Sequence, residues 1–178
     1  NGDSYWYTDG VLNRDPTDGP AVITGETTKY YVDGKLHNPD GPALIKGTTS
    51  KWYKHGVLHR DPLTDGPAII TKKTKQWYVD GKLHRKGGPA VERSDGSKEW
   101  FVHGVCHRIG GPAVENAYNK QWYVDGQLHR EGGPAVEHSD GSKEWYWKGM
   151  RHRDSLISEG IVGPAIEMNG RQEWYMYG

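Results

Sequence analysis

Histidine and arginine each recur six times along this chain, at two adjacent positions of a repeated pattern. An imidazole can ligate a metal or transfer a proton, and a guanidinium can bind an anionic partner. What these groups can do depends on how the intervening chain places them. The histidines are His37, His59, His84, His107, His129 and His152; the arginines are Arg14, Arg60, Arg85, Arg108, Arg130 and Arg153; Asn13 and Asn38 stand where the pattern is broken.

The pairs belong to a repeat that contains an aromatic pair, a glycine turn, Leu-His-Arg, a variable turn and Gly-Pro-Ala. Its period is about 23 residues, so residues 1–178 are predicted to form one array of seven complete units and a partial eighth. In one unit, Asp80-Gly81 predicts a tight hairpin turn, since both central residues need positive φ. The unit's strands are predicted at 76–79, 82–85 and 90–92. The predicted fold is all-β, an elongated single-layer array of stacked β-hairpins.

The composition excludes several classes of protein. The 23 Lys and Arg balance 23 Asp and Glu, which argues against a nucleic-acid binder that neutralises many phosphates. No apolar run approaches the ~20 residues that span a bilayer, and no signal peptide precedes the first repeat. The chain carries 8 Trp and 11 Tyr but one Phe, which is typical of a thin structure with half-covered rings. A virion or the host cytoplasm is the expected location.

Residues 77–85 and 88–92, which read WYVDGKLHR and GPAVE, resemble a MORN-like repeat. They are more similar to the WYxxGxLHRxxGPA variant of giant-virus and phage proteins, and to repeats of the YwqK-type antitoxin family. The resemblance implies stacked hairpins without enzymatic activity, used for protein scaffolding or, in some relatives, lipid contact. The repeat-structural positions are represented by Trp77, Gly81, His84, Arg85, Pro89, Trp100 and Trp122.

The histidine column is predicted to be structural. Metal ligands lie about 2 Å from the ion, so they must converge, whereas equivalent residues two strands apart are separated by about 9–10 Å. We therefore expect each imidazole to bond a backbone or carboxylate group and to fix its hairpin. No metal or cofactor is predicted, and His55 and His103 are interpreted as turn residues.

The arginine column has two interpretations. One is a ladder of cations for an acidic partner or anionic lipid heads. The other is pairing with glutamates that follow Gly-Pro-Ala, namely Glu92, Glu115, Glu137 and Glu167. The first three units carry Ile23, Ile45 and Ile70 at that position. Arg14 and Arg60 are therefore expected to be less neutralised, and they are candidate interaction residues.

The seventh unit has the least repetitive sequence. Its second turn is enlarged and apolar, and insertions in repeat proteins often map to a binding face. The alternative is local packing or a cap. This patch gives the candidate interaction residues Trp147, Met150, Leu156, Ile157, Ile161 and Val162.

No catalytic constellation emerges from the pattern. Cys106 takes the repeat's Leu position and is expected to be a small buried hydrophobe, and an enzyme is not predicted. The predicted function is a non-catalytic structural or protein-interaction scaffold encoded by a virus or phage. The alternatives are a carbohydrate-binding cell-wall module, which aromatic ladders can form, or an inhibitor of a host enzyme. The expected partner is a protein, or a second copy joined through the array ends.

Overall fold

The computed structural model describes residues 2–61, 66–153, 163–168 and 170–175. In these ranges every regular element is a β-strand, as predicted, and no helix is present that could cross a membrane. The chain divides into two compact units, residues 1–94 and 95–178. The first unit contains repeats one to four and the second contains the later repeats.

The first unit contains sixteen short strands among its described residues. They are β1 (Ser4–Tyr5), β2 (Tyr7–Thr8), β3 (Val11–Leu12), β4 (Val22–Thr24), β5 (Thr27–Lys29), β6 (Tyr31–Val32), β7 (Lys35–Leu36), β8 (Leu44–Lys46), β9 (Thr49–Lys51), β10 (Tyr53–Lys54), β11 (Val57–Leu58), β12 (Ile69–Ile70), β13 (Thr74–Gln76), β14 (Tyr78–Val79), β15 (Lys82–Leu83) and β16 (Val91–Arg93).

The described part of the second unit repeats this plan. Its strands are β17 (Lys98–Glu99), β18 (Phe101–Val102), β19 (Val105–Cys106), β20 (Val114–Glu115), β21 (Asn119–Gln121), β22 (Tyr123–Val124), β23 (Gln127–Leu128), β24 (Val136–His138), β25 (Lys143–Glu144), β26 (Tyr146–Trp147), β27 (Met150–Arg151), β28 (Ile166–Met168) and β29 (Arg171–Glu173).

Each unit is a single-layer array of consecutive antiparallel hairpins. The main sheet of the first unit has the order β1-β4-β5-β8-β9-β12-β13-β16, and that of the second unit β17-β20-β21-β24-β25-β28-β29. A small two-stranded hairpin stands beside each main-sheet pair, for example β14 with β15. Each of the seven complete repeats therefore contributes two main-sheet strands and one small hairpin.

The small hairpins turn where the sequence predicts. Asp80 and Gly81 have φ of 48° and 75°, the left-handed pair that this tight turn needs. The predicted strand 76–79 is, however, interrupted at Trp77, whose N–H donates to the carbonyl of Ala90 and whose carbonyl accepts from His84. The return strand ends at Leu83 instead of residue 85. Trp77 therefore joins the main sheet to the small hairpin.

The core is a line of small side chains along each unit. The seven alanines of the Gly-Pro-Ala triplets have no exposed surface; they are Ala21, Ala43, Ala68, Ala90, Ala113, Ala135 and Ala165. Val22, Ile69 and Val91 follow three of them and are also buried. Because a strand alternates its faces, the residue after each of these lies on the opposite, outer face of the main sheet.

The outer face differs between the two units. In the first unit, cross-strand pairing aligns Ile23, Thr28, Ile45, Ser50 and Ile70, here called the isoleucine row. The equivalent row in the second unit, here called the charged row, alternates in sign: Lys98, Glu115, Lys120, Glu137, Lys143 and Glu167.

Backbone bonds join the small hairpins of successive repeats. The N–H of Gly34 donates to the carbonyl of Leu12, and that of Gly81 to the carbonyl of Leu58, each at 2.8–2.9 Å. The N–H of Arg60 likewise donates to Tyr78 of the next repeat. Repeats within a unit are therefore held together by groups that do not depend on side-chain identity.

Candidate interaction surface

Each recurring arginine lies over the tryptophan of its own repeat. The distance from the guanidinium carbon to the ring centroid is 3.8–4.2 Å in all six cases: Arg14–Trp6, Arg60–Trp52, Arg85–Trp77, Arg108–Trp100, Arg130–Trp122 and Arg153–Trp145. A cation over an indole face is attracted by the ring quadrupole and contributes about 0.5–2 kcal/mol. One face of each of these rings is thus covered by a guanidinium.

The Gly-Pro-Ala triplet completes the setting of the arginine. Nη1 of Arg108 donates to the carbonyl of Pro112 at 2.9 Å, and Arg85 makes the same bond to Pro89. A Cβ on Gly111 would lie 2.9 Å from the Arg108 guanidinium carbon, which is too close for carbon atoms. We call this arrangement of Trp, Arg, Gly and Pro the arginine clamp.

The second repeat supports a direct contact between the tryptophan and the arginine of the clamp, because both residues are replaced there. Tyr30 replaces the tryptophan there, and Asn38 replaces the arginine. Nδ2 of Asn38 donates to the carbonyl of Pro42 at 3.3 Å, so the amide makes the proline contact that the guanidinium makes elsewhere. The tryptophan and the arginine of a clamp therefore occur together or are replaced together.

Four of the six clamps are neutralised by a glutamate, as the sequence predicts. Nη1 of Arg85 lies 2.9 Å from Oε1 of Glu92, and the equivalent distances are 2.8 Å for Arg108–Glu115 and 2.6 Å for Arg130–Glu137. Arg153 pairs with Glu167 in the same way. These side chains are 18–35% exposed, so the pairs are screened only in part.

Arg14 and Arg60 make the same clamp without a carboxylate. Their Nη1 atoms donate to Pro20 and Pro67 at 3.1 Å, but the glutamate positions hold Ile23 and Ile70. Within the described residues, neither guanidinium has an acidic side chain within ion-pair distance. The two candidate interaction residues are thus half-buried cations on the outer face of the first unit.

The cross-strand row beside these two cations supplies no negative charge. From Ser4 to Lys75 the cross-strand row contains no carboxylate, and Lys75 lies directly opposite Ile70. Residues 1–94 carry 14 basic and 11 acidic side chains, whereas residues 95–178 carry 9 and 12. The first unit therefore has a formal charge of +3.

The histidines connect neighbouring repeats, whereas the sequence predicted a contact within each hairpin. Nδ1 of His59 accepts the N–H of Asp80, and Nδ1 of His107 accepts that of Asp125, both at 3.2 Å. Asn13 does the same with its side-chain oxygen. Each of these side chains therefore holds the turn of the following hairpin.

His37 has an unusual neighbour, because His55 replaces the turn aspartate in the next repeat. The two rings stack with centroids 4.3 Å apart, and Nδ1 of His37 accepts the His55 N–H at 3.4 Å. Burial lowers the pKa of His37 from its ordinary value of 6.5, and the charge on a protonated His55 lowers it further. The neutral form of His37 is the form that fits this stack.

Shallow grooves recur at the junctions between repeats. Three of them have volumes of about 340, 510 and 370 Å³ and use equivalent residues, namely Trp52 with Arg60, Trp122 with Arg130, and Trp145 with Arg153. The second also contains Ile109, which is 89% exposed. These grooves are a common feature of the repeats and do not single out one of them.

The candidate residues of the seventh repeat are only partly described. The edge of the His129 ring packs against Trp147 with centroids 4.4 Å apart, and Met150 is exposed. Leu156, Ile157, Ile161 and Val162 lie outside the described residues. The structure therefore places Trp147 in a repeat junction and leaves Met150 at the surface.

Cysteine and clustered metal-ligating side chains are the other groups that could do chemistry. The Cys106 thiol is half-buried, and burial together with the nearby Glu99 raises its pKa to about 11, so it is protonated at neutral pH. In the described segments no three histidine, cysteine or acidic side chains are grouped closely enough to hold a metal ion.

The arginine clamp was not predicted from the sequence, although a signal for it is present there. The joint change to Tyr30 and Asn38 in one repeat indicates that the ring and the cation are in contact.

No protein-family model matches the chain, and no curated protein is significantly similar to it. The function is therefore inferred from the geometry of the repeats.

Proposed function

We propose that this chain is a non-catalytic structural or protein-interaction scaffold, and that it is encoded by a virus or phage. The observation that carries the proposal is which groups the recurring arginines and histidines contact. The arginines are held by tryptophan and proline, and histidines such as His59 join one repeat to the next. Groups held in this way position the repeats, while the side chains on the outer face vary along the array.

The clamp also bears on the carbohydrate alternative. A sugar ring recognised by tryptophan stacks on the face of the indole, but one face of each of the six clamp rings is covered by a guanidinium. This favours a protein partner over a polysaccharide. The viral or phage source and the MORN-like relationship rest on the resemblance of the repeat.

The test is a capture experiment with the immobilised chain and extracts of cells that produce it, followed by mass spectrometry. The matched control is the same chain after thermal unfolding. We expect the folded chain alone to retain a protein in fixed ratio, and a glycan array to give no signal. Saturable binding to a polysaccharide, with no protein retained, would contradict the scaffold and favour the sugar module.

A further inference from the structure

The clamps of repeats one and three lack a group that the clamps of repeats four to seven possess. In repeat four, Nη1 of Arg85 is shared between the carbonyl of Pro89 and the carboxylate of Glu92. In repeats one and three, Nη1 makes the proline bond, and an isoleucine stands where the glutamate would be. A carboxylate is the best-matched acceptor for the guanidinium N–H groups that the proline carbonyl does not engage.

We propose that the isoleucine row of the first unit binds an extended acidic segment of a protein partner, whose two carboxylates occupy the missing glutamate positions beside Arg14 and Arg60. The proposal rests on the scaffold function and names its partner chemistry. The other groups of the face agree with it, since the isoleucine row contributes no carboxylate.

The spacing of the two sites defines the partner. Ile23 and Ile70 lie on β4 and β12, which are four strand steps apart in the order β4-β5-β8-β9-β12. At ~4.8 Å per step the two anion positions are about 19 Å apart, and six residues of an extended chain span about 20 Å. Residues i and i+6 of such a chain also point to the same side.

The protein surface between the two clamps predicts which residue types separate the two carboxylates in the partner segment. Thr28, Ile45 and Ser50 separate Ile23 from Ile70 along the row, and they offer methyl groups and hydroxyls. Ile23 is exposed, and the other row residues are half-buried. Residues i+2 and i+4 of the segment are therefore expected to be small and apolar.

The test uses the whole chain and a fluorescent peptide with blocked ends, SETVTVTES, which carries glutamates at i and i+6. Its matched control is SETVTVETS, with the same composition and the glutamates at i and i+5, on opposite sides. Fluorescence anisotropy should show saturable binding of the first peptide and binding at least about tenfold weaker for the second, because only one carboxylate can reach a clamp. Equal affinity for both would overturn the proposal.

The protein variants copy the chain's own neutralised repeats. Ile70→Glu should supply Arg60 with an internal carboxylate and weaken the first peptide about tenfold, whereas the neutral Ile70→Gln should bind as the parent does. If Ile70→Glu alters the melting temperature strongly, Ile23→Glu against Ile23→Gln gives the same comparison.

Other occupants are distinguished by two additional measurements. Sedimentation with phosphatidylserine vesicles that is lost in Ile70→Glu, without peptide binding, would overturn the proposal in favour of an anionic membrane. Self-association lost in the same variant would overturn it in favour of a second copy. If the capture experiment retains a protein equally well with Ile70→Glu, the scaffold function stands and only this assignment of the surface fails.

Discussion

The third and fourth repeats carry clamps that differ at one outer position, Ile70 in the third and Glu92 in the fourth. Arg60 nevertheless lies 4.2 Å above its indole and 3.1 Å from its proline carbonyl, and Arg85 lies at 3.9 and 3.3 Å. The carboxylate is therefore not needed to place the guanidinium. Ring, glycine and proline fix the cation, and the glutamate only determines whether its charge is satisfied within the chain.

If the ring positions the cation, its removal should have the largest effect on stability. Trp77 is 6% exposed, and Trp77→Ala should lower the free energy of unfolding by about 3–5 kcal/mol, because a large buried ring and its cation contact are lost together. Trp174 is 59% exposed and serves as the matched control. Denaturant melts of both variants should differ by at least about 2 kcal/mol; equal losses would contradict a structural role for the clamp ring.

The close approach of glycine predicts the next largest effect. Gly111→Ala should lower stability by about 1–3 kcal/mol, since its Cβ would overlap the Arg108 guanidinium. In an Arg108→Ala background the same change should cost less than about 0.5 kcal/mol, because the overlapping group is absent. A double-mutant cycle measured by thermal unfolding checks this, and additive effects would show that the glycine serves another purpose.

The comparison of repeats three and four can also be reversed. Glu92→Ile should destabilise by about 1 kcal/mol, because a partly buried cation loses its partner, and Ile70→Glu should stabilise by up to about 0.5 kcal/mol. Both effects should shrink in 1 M salt, where screening is strong. Paired urea titrations at low and high salt measure them. If Glu92→Ile instead raised the free energy of unfolding, the attraction between Arg85 and Glu92 would be smaller than the cost of removing their charges from water.

The smallest expected effect concerns pH. The pKa of His37 is lowered in the folded state, so the unfolded chain binds a proton more readily. The contribution of His37 to stability is therefore complete above its ordinary pKa of 6.5 and is lost as the pH falls below it. His37→Asn keeps an acceptor, as Asn13 does in the first repeat. Melting temperatures between about pH 8 and 5 should fall less in this variant than in the parent; identical profiles would exclude His37 as the cause.

Much of the fold follows from the sequence because its signals are local. The turn at Asp80-Gly81 and the recurrence of the aromatic pair predict a hairpin array. The third repeat has Ile70 at the position that Glu92 takes in the fourth, and this difference predicts that Arg60 lacks the glutamate partner of Arg85. The break at Trp77 was not predictable from alternation, because it depends on bonds to Ala90 and His84 that close only when the repeat folds.

The candidate surface was predicted only in its charged part. The arginines were identified from their missing glutamates, but their alignment with Thr28 and Ser50 depends on strand register. Register is set by pairing along the whole sheet and is not readable from one repeat. The contact of His59 with the next turn has the same origin, since it joins residues 21 positions apart.

The backbone bonds between small hairpins have a consequence for how such a chain can change over generations. A clamp is completed within one repeat, and the bonds between Gly81 and Leu58 or between Arg60 and Tyr78 use main-chain atoms. A duplicated or exchanged repeat therefore meets a neighbour with the same joining groups, whatever its outer residues are. Gene duplication can lengthen the array one unit at a time, and each new copy can acquire or lose its glutamate independently of the others.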